Sequence, residues 1–250
     1  MTTTEHTIQV IRSDDRHRWD NEWLTSLQSF PATGNFDLVD NAHGVLLVNN
    51  DDTVDAAEGF DTHEHTDVEI ITWVVDGALH HRDSRGNSGI LTPGVVQRMT
   101  AGTGITHSER NAATRTERTR LRVVQMWVAT EYAGHEPEYA ETDVTSALST
   151  GELVPIVSGL DRDRHSGALS LPNPYAALHA ARMAAGTSVV LPGARFGHLY
   201  VVRGSVAFDG SRLTDGDAAR LTDAGDVSVT AADDAEILYW EMHAGFSSPP

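Results

Sequence analysis

Cysteine is absent from the 250-residue chain, which excludes disulfides, thiolate metal sites, iron–sulfur clusters and thiol nucleophiles. Basic residues are scarce: 18 Lys and Arg stand against 36 Asp and Glu, a formal charge of −18 with histidine neutral. So acidic a chain repels phosphate backbones and anionic lipid surfaces, so neither nucleic acid nor membrane is an expected partner. No stretch approaches the roughly 18 unbroken apolar residues of a membrane helix. Met1–Gln9 also lacks the basic start and apolar run of a secretory leader. With 40% hydrophobic and 22% charged residues, the composition is that of an ordinary globular chain, expected in the cytoplasm.

Helix signals are thin as well, with room for a turn or two at Asp20–Phe30 and Asp143–Leu153. What the chain has in quantity is period-two patterning. Val68–Val75 reads VEIITWVV, Asp76-Gly77 interrupts it, and Ala78–Asp83 resumes. Asp-Gly between two such runs is a strong hairpin signal, because glycine supplies the positive φ of a type I′ turn. Short strand-like runs follow at Gly89–Leu91, Val95–Thr100, Ile105–Ser108 and Leu121–Val128, too closely spaced for crossover helices. An all-β sandwich or barrel is favoured over alternating strands and helices.

The pattern occurs twice. Tyr200–Val206 (YVVRGSV) repeats Trp73–Leu79 (WVVDGAL) with its glycine 127 residues later, and Leu213–Gly216 repeats Leu91–Gly94 at an offset of 122. A duplicated β-domain follows, with residues 1–138 and 139–250 as the two halves and the acidic stretch Thr130–Val144 as the link. Two fused barrels satisfy one another, so a monomer is expected.

Spacing singles out a few of the 13 histidines. His63-Glu64-His65 puts two imidazoles on one face of a strand, and His107-Ser108-Glu109 does the same for an imidazole and a carboxylate. Together they offer three imidazoles and one carboxylate to a single ion, a set suited to Fe(II), Mn(II), Ni(II), Cu(II) or Zn(II) with coordination positions left open. Glu69 shares the parity of the first pair if the strand is regular that far, and competes with Glu109 as the carboxylate. His80 and His81 have opposite parity, so at most one faces inward; both are expected to be structural or surface histidines. Gln97 and Arg98 are candidates for the pocket lining. Gly102 and Gly104 lack the context of a nucleotide loop and are tight-turn glycines. At the repeat offsets, the two pairs fall on Val190, Pro192, Val229 and Ala231, none a metal ligand. The second half is therefore expected to lack a metal site, and His179, His198 and His243 have no ligand spacing.

Gly59–His65 with Glu69 and Gly77 looks like a first cupin motif, and Pro93-Gly94 with His107 and Asn111 like a second. More narrowly, His81–Gly89 (HRDSRGNSG), Pro93-Gly94, Met99–Gly102, Gly104-Ile105, His107–Glu109 and Gln125–Val128 (QMWV) resemble the pirin family, closest to its bacterial quercetin 2,3-dioxygenases. The likeness is dense from Gly59 to Val128. It implies a bicupin of two jelly-roll barrels with one metal, iron(II) foremost and Ni(II), Cu(II), Mn(II) or Zn(II) as alternatives. His63, His65, His107 and Glu109 are the implied ligands, Glu109 is also the implied catalytic base, and Glu69 orients a histidine. The implied reaction is O2-dependent opening of a flavonol such as quercetin, a small aromatic substrate. Alternatives are a non-enzymatic, redox-sensing regulator that binds a protein partner, and a hydrolase or isomerase using the same ion as a Lewis acid. The chain departs from the family's His-Pro-His-Arg at His63-Glu64-His65-Thr66, which adds a carboxylate beside the site, and follows its aromatic segment only loosely at Trp23–Phe30.

Overall fold

A computed structural model describes residues 6–30 and 41–246; of the stretch Met1–Gln9, the first five residues lie outside it. The chain is all-β and divides into two compact units. The first comprises His17–Asn41 and Leu46–Val144, and the second comprises Met1–Arg16, Ala42–Val45 and Thr145–Pro250. Each unit is a two-sheet jelly-roll barrel. Among the described residues no helix is long and apolar enough to cross a membrane.

In the first unit a seven-stranded sheet runs in the order Glu138–Asp143, Val95–Thr100, Val68–Asp76, Leu121–Ala129, Leu46–Val54, Leu24–Gln28 and His17–Asp20. Facing it is a four-stranded sheet of Gly59–His65, Ile105–Asn111, Leu79–Asp83 and Ser88–Leu91. The second unit has the same plan. Its larger sheet orders Thr7–Ile11, Ala218–Ala224, Ala194–Arg203, Ala235–Met242, Ala176–Met183, Val154–Ser158 and Leu169–Ser170. Its smaller sheet orders Ser188–Leu191, Val227–Ala231, Ser205–Phe208 and Ser211–Thr214.

Three local expectations change. Asp20–Phe30 holds the strand Leu24–Gln28, not a helix, because its buried side chains alternate and its backbone pairs with Leu46–Val54. The supposed link Thr130–Val144 contains the six-residue strand Glu138–Asp143, paired residue by residue with Val95–Thr100. A division after residue 138 would therefore cut off a strand of the first unit, and it would also misplace Thr7–Ile11, which pairs with Ala218–Ala224 in the second. Asp143–Leu153 does hold a single helical turn, Thr145–Leu148.

The run Val68–Asp76 is buried on both faces, which is why it reads as nearly continuous β-branched and aromatic residues. Its even positions face the barrel interior. Val74 lies in an apolar layer with Leu79, Leu91, Leu121 and Val123, against which Phe60 and Val95 pack. Two residues further along each strand the layer changes character: Val74 gives way to Thr72, Leu79 to His81, Val95 to Gln97 and Val123 to Gln125. In the second unit the interior stays apolar, with Leu199, Val201, Ala219, Leu221, Val229, Ala231 and Ile237 in one cluster. Burial of each large aliphatic side chain contributes about 1.5–3 kcal/mol.

The duplicated hairpins turn on duplicated glycines. Gly77 has φ +75° and Gly204 φ +74°, a left-handed conformation costly to any residue with a Cβ. At Gly204 an added Cβ would lie 2.0 Å from the Asp234 carbonyl oxygen, so backbone would have to move as well. Gly204→Ala is therefore expected to lower the unfolding free energy by about 2 kcal/mol or more, read as a fall in the urea midpoint. An unchanged midpoint would contradict the turn geometry.

Candidate metal centre

Gly59–His65 and Ile105–Asn111 pair antiparallel with His107 opposite His63, but Glu109 falls opposite Phe60. One residue, Ser108, thus stands opposite two, Asp61 and Thr62, a β-bulge in the strand Gly59–His65. The extra residue lets Phe60 face the apolar layer while His63 and His65 face the same interior. Phe60 and His63 are neighbours there, with ring centroids 6.4 Å apart.

The three predicted imidazoles converge. Ring centroids are 4.8 Å apart for His63 and His65, 4.4 Å for His63 and His107, and 5.0 Å for His65 and His107. One nitrogen from each lies within 4.8 Å of the others, close enough for one ion with bonds of about 2.0–2.1 Å after small side-chain rotations. Glu109, on the same face as His107, forms a second such group with His107 and His81. His107 and Glu109 are 2% and 3% exposed, whereas His63 and His65 are half-buried, so the cluster is approached from their side.

Hydrogen bonding orients the donors. His63 Nδ1 lies 2.7 Å from the Asp61 carbonyl oxygen; a carbonyl only accepts, so Nδ1 carries the proton and the Nε2 lone pair is free. Gln125 Nε2 donates to Glu109 Oε2 at 2.7 Å. Glu109 Oε1 and both ring nitrogens of His107 are buried without a hydrogen-bond partner. Such orphans are costly unless water or an ion satisfies them, and three imidazoles with a carboxylate are the donor set a divalent transition metal takes. The residues fit the group.

Burial keeps two of these imidazoles neutral. The pKa of His65 falls to about 4 through desolvation, reinforced by His107 and His63, and that of His107 to about 3 through desolvation, then His63 and His81. Lone pairs at both are available at neutral pH.

Other residues fall differently from expectation. Glu69 is neither ligand nor support for a histidine. The strand Gly59–His65 ends before it, Asp67 turns the chain with φ +48°, and the next strand starts at Val68. Gln125 faces Glu109 and pairs with Thr72. Three residues back, Glu69 therefore lies on the opposite face. There it is fully buried, accepts from the Thr100 hydroxyl at 2.7 Å and sits 3.7 Å from Arg98. Desolvation lifts its carboxyl to about 7 against the pull of Thr100 and Arg98. Arg98 shares that outer face, while Gln97 lines the site. Glu64 is exposed.

His81, expected to be structural or superficial, is fully buried inside the cluster, its ring 5.4 Å from that of His107. It shares the inward parity of Leu79 on the same strand, but no ligand spacing marks it. Its neighbour His80 is half-buried, its Nε2 3.3 Å from the Ser88 hydroxyl. Sequence reasoning also passed over Thr72, Gln125 and Trp127. Trp127 sits edge-on to His65 at 4.8 Å. At the repeat positions in the second unit, Val229 and Ala231 are core residues and Val190 is exposed.

Comparison with known proteins follows the same lines. The family model described as Pirin matches residues 12–128, and that described as Quercetinase C-terminal cupin domain matches residues 162–242. A Mycobacterium tuberculosis protein provisionally named quercetin 2,3-dioxygenase is 45% identical over 239 residues, covering 95% of this chain and 96% of its own. The quercetin 2,3-dioxygenase of Escherichia coli K12 is 31% identical over 236 residues, covering 94% and 98%. The crystal structure of bacterial pirin YhhW from Escherichia coli in complex with nickel(II) superimposes with a TM-score of 0.85 at 28% identity, covering 95% of this chain and 100% of that one.

The depressed histidines set a pH dependence for the metal-free chain. Above pH 6.5 neither state binds protons at these rings; below it the unfolded chain takes them up while folded His65 and His107 do not until about pH 4 and 3. Their contribution to stability is therefore complete above pH 6.5 and is lost as pH falls through the folded values. The urea midpoint should drop between pH 7 and pH 5, and less steeply in His107→Asn. Parallel pH curves for the two proteins would contradict the burial argument.

Proposed function

The chain belongs to the pirin family, and from that premise we propose that the first barrel binds one divalent transition metal, iron(II) foremost, through His63, His65, His107 and Glu109. Loaded in this way, the protein is an O2-dependent dioxygenase that opens the ring of a flavonol such as quercetin. The observation that carries this reading is the convergence of His63, His65 and His107, joined through His107 to the buried Glu109, with donor atoms of His107 and Glu109 left without a hydrogen-bond partner. The family's quercetin dioxygenases and the nickel complex of a relative support it.

The bound ion supplies Lewis acidity, which lowers the pKa of a coordinated hydroxyl, and a route for electrons between substrate and O2. The chain does the rest. His63, fixed by the Asp61 carbonyl, and the neutral His65 and His107 hold the ion. Glu109, tethered through Oε2 to Gln125, is by turns ligand and base, receiving the substrate hydroxyl proton at Oε1. The half-buried His63 and His65 mark the side from which substrate enters, and the apolar layer containing Phe60 closes the opposite end.

Reconstitution with Fe(II), Ni(II), Cu(II) or Mn(II), followed by loss of quercetin absorbance in air and under nitrogen, tests the proposal. Oxygen-dependent loss with release of carbon monoxide is the expected outcome. Tight stoichiometric binding without turnover by any metal would leave a metal-binding regulator instead. His63→Ala and His107→Ala should each cut bound metal to below about a tenth of the wild-type content by elemental analysis. Retention of full metal content in both would overturn the ligand set.

A further inference from the structure

Facing the cluster across the barrel is a row of three polar side chains on neighbouring strands. Gln97 pairs with Thr72 and Thr72 with Gln125, so the three stand side by side at one level of the sheet. Gln97 and Thr72 are 1% and 0% exposed. Gln97 Oε1 and the Thr72 hydroxyl are buried without a partner, as is the indole Nε1 of Trp127, one residue pair along the same face. The second barrel serves as an internal control. There Ala219, Leu199 and Tyr239 occupy the corresponding row, with both aliphatic members in the apolar core. The fold does not need a polar row at this level.

The direction in which Gln97 presents its oxygen is set from the protein surface. Asp83 is held as a carboxylate: burial opposes ionisation, but the Asn87 side chain and backbone N–H, His81 and the Arg85 N–H together lower its pKa. A carboxylate only accepts, so His81 Nε2 donates to Asp83 Oδ2 across 3.4 Å, and His81 Nδ1 is left as an acceptor. The Gln97 amide nitrogen faces that lone pair at 3.4 Å. The Gln97 carbonyl oxygen is then turned away from His81, with nothing to accept from. The Tyr139 ring, 5.0 Å from that of His81 and tilted by 33°, backs the imidazole.

We propose that Gln97, Thr72 and Trp127 form an oxygen-reading wall that selects a polyhydroxylated planar aromatic substrate. The inference rests on the flavonol reading above and deepens it. Gln97 Oε1 requires a ligand hydroxyl to donate to it, Trp127 Nε1–H requires a ligand oxygen to accept from it, and Thr72 serves either. These contacts go to oxygens other than those bound at the metal. Substrates lacking them leave the buried groups unpaired, which is the strongest form of discrimination a polar site offers.

The test uses the full chain loaded with Zn(II), which is redox-inert, and compares quercetin with 3-hydroxyflavone by absorbance titration. Both carry the same 3-hydroxyl and 4-carbonyl pair, but only quercetin carries further hydroxyls. Wild type is expected to bind quercetin at least tenfold more tightly. Thr72→Val, Gln97→Met and Trp127→Phe are each expected to narrow that preference to about threefold or less, through weaker quercetin binding and through tighter 3-hydroxyflavone binding where the unpaired group is removed. In the ligand-free, metal-free chain Thr72→Val should raise the urea midpoint, since it removes an unsatisfied hydroxyl at nearly constant volume. If wild type binds both flavonols and the preference persists in all three variants, the wall merely holds water and this inference falls alone. If wild type binds neither flavonol, the flavonol reading falls and takes this inference with it.

Discussion

One extra residue in the strand Gly59–His65 decides how the front barrel is divided. A regular strand alternates faces, so Phe60 and His63, three apart, would point to opposite sides of the sheet. The bulge at Asp61–Thr62 cancels that alternation. Phe60 seals the apolar layer, and His63 and His65 enter the polar one from the same strand. The bulge also exposes the Asp61 carbonyl that holds the His63 ring. One irregularity thus sets the depth of the cluster and the tautomer of one of its members, in keeping with the tendency of bulges to re-aim side chains beside functional sites.

Much of this was readable from local pattern. The Asp76-Gly77 hairpin, the repeat at Gly204 and the two i,i+2 pairs are short-range signals, and each survives folding because its geometry is set within a few residues. What was not readable depends on distant partners. Glu138–Asp143 is acidic and half exposed, and it becomes a strand because Val95–Thr100 offers it an edge. Thr7–Ile11 likewise takes its structure from Ala218–Ala224, more than 200 residues away. Glu69 was misjudged because Asp67 breaks the strand and resets the parity on which the inference relied. His81 was undervalued because its neighbours Glu109 and His107 arrive on another strand.

The two barrels illustrate how one strand plan serves different ends. In the second, the level corresponding to the polar row is filled by Ala219, Leu199 and Tyr239, all three in the apolar cluster, and the Tyr239 hydroxyl is satisfied by the Pro192 carbonyl. In the first, the apolar layer stops at Val74 and Val123, and the next level is given over to amides, a hydroxyl, imidazoles and a carboxylate. Burying those groups costs free energy that a hydrocarbon core would not. The front barrel is therefore less stable per residue than its fold permits, a common trade where binding requires unsatisfied groups.

The chain of contacts from Asn87 through Asp83 and His81 to Gln97 gives the exposed turn after Asp83 an unexpected reach. The Asn87 side chain is half-buried at the rim, yet its bond to Asp83 at 2.8 Å helps fix which end of an amide deep in the barrel presents oxygen and which presents nitrogen. Natural drift in this short surface turn could invert that polarity with no change to any group in the interior. Relatives that share every cluster residue could then diverge in the molecules they accept, and the cause would lie in a stretch that an alignment of pocket residues would pass over.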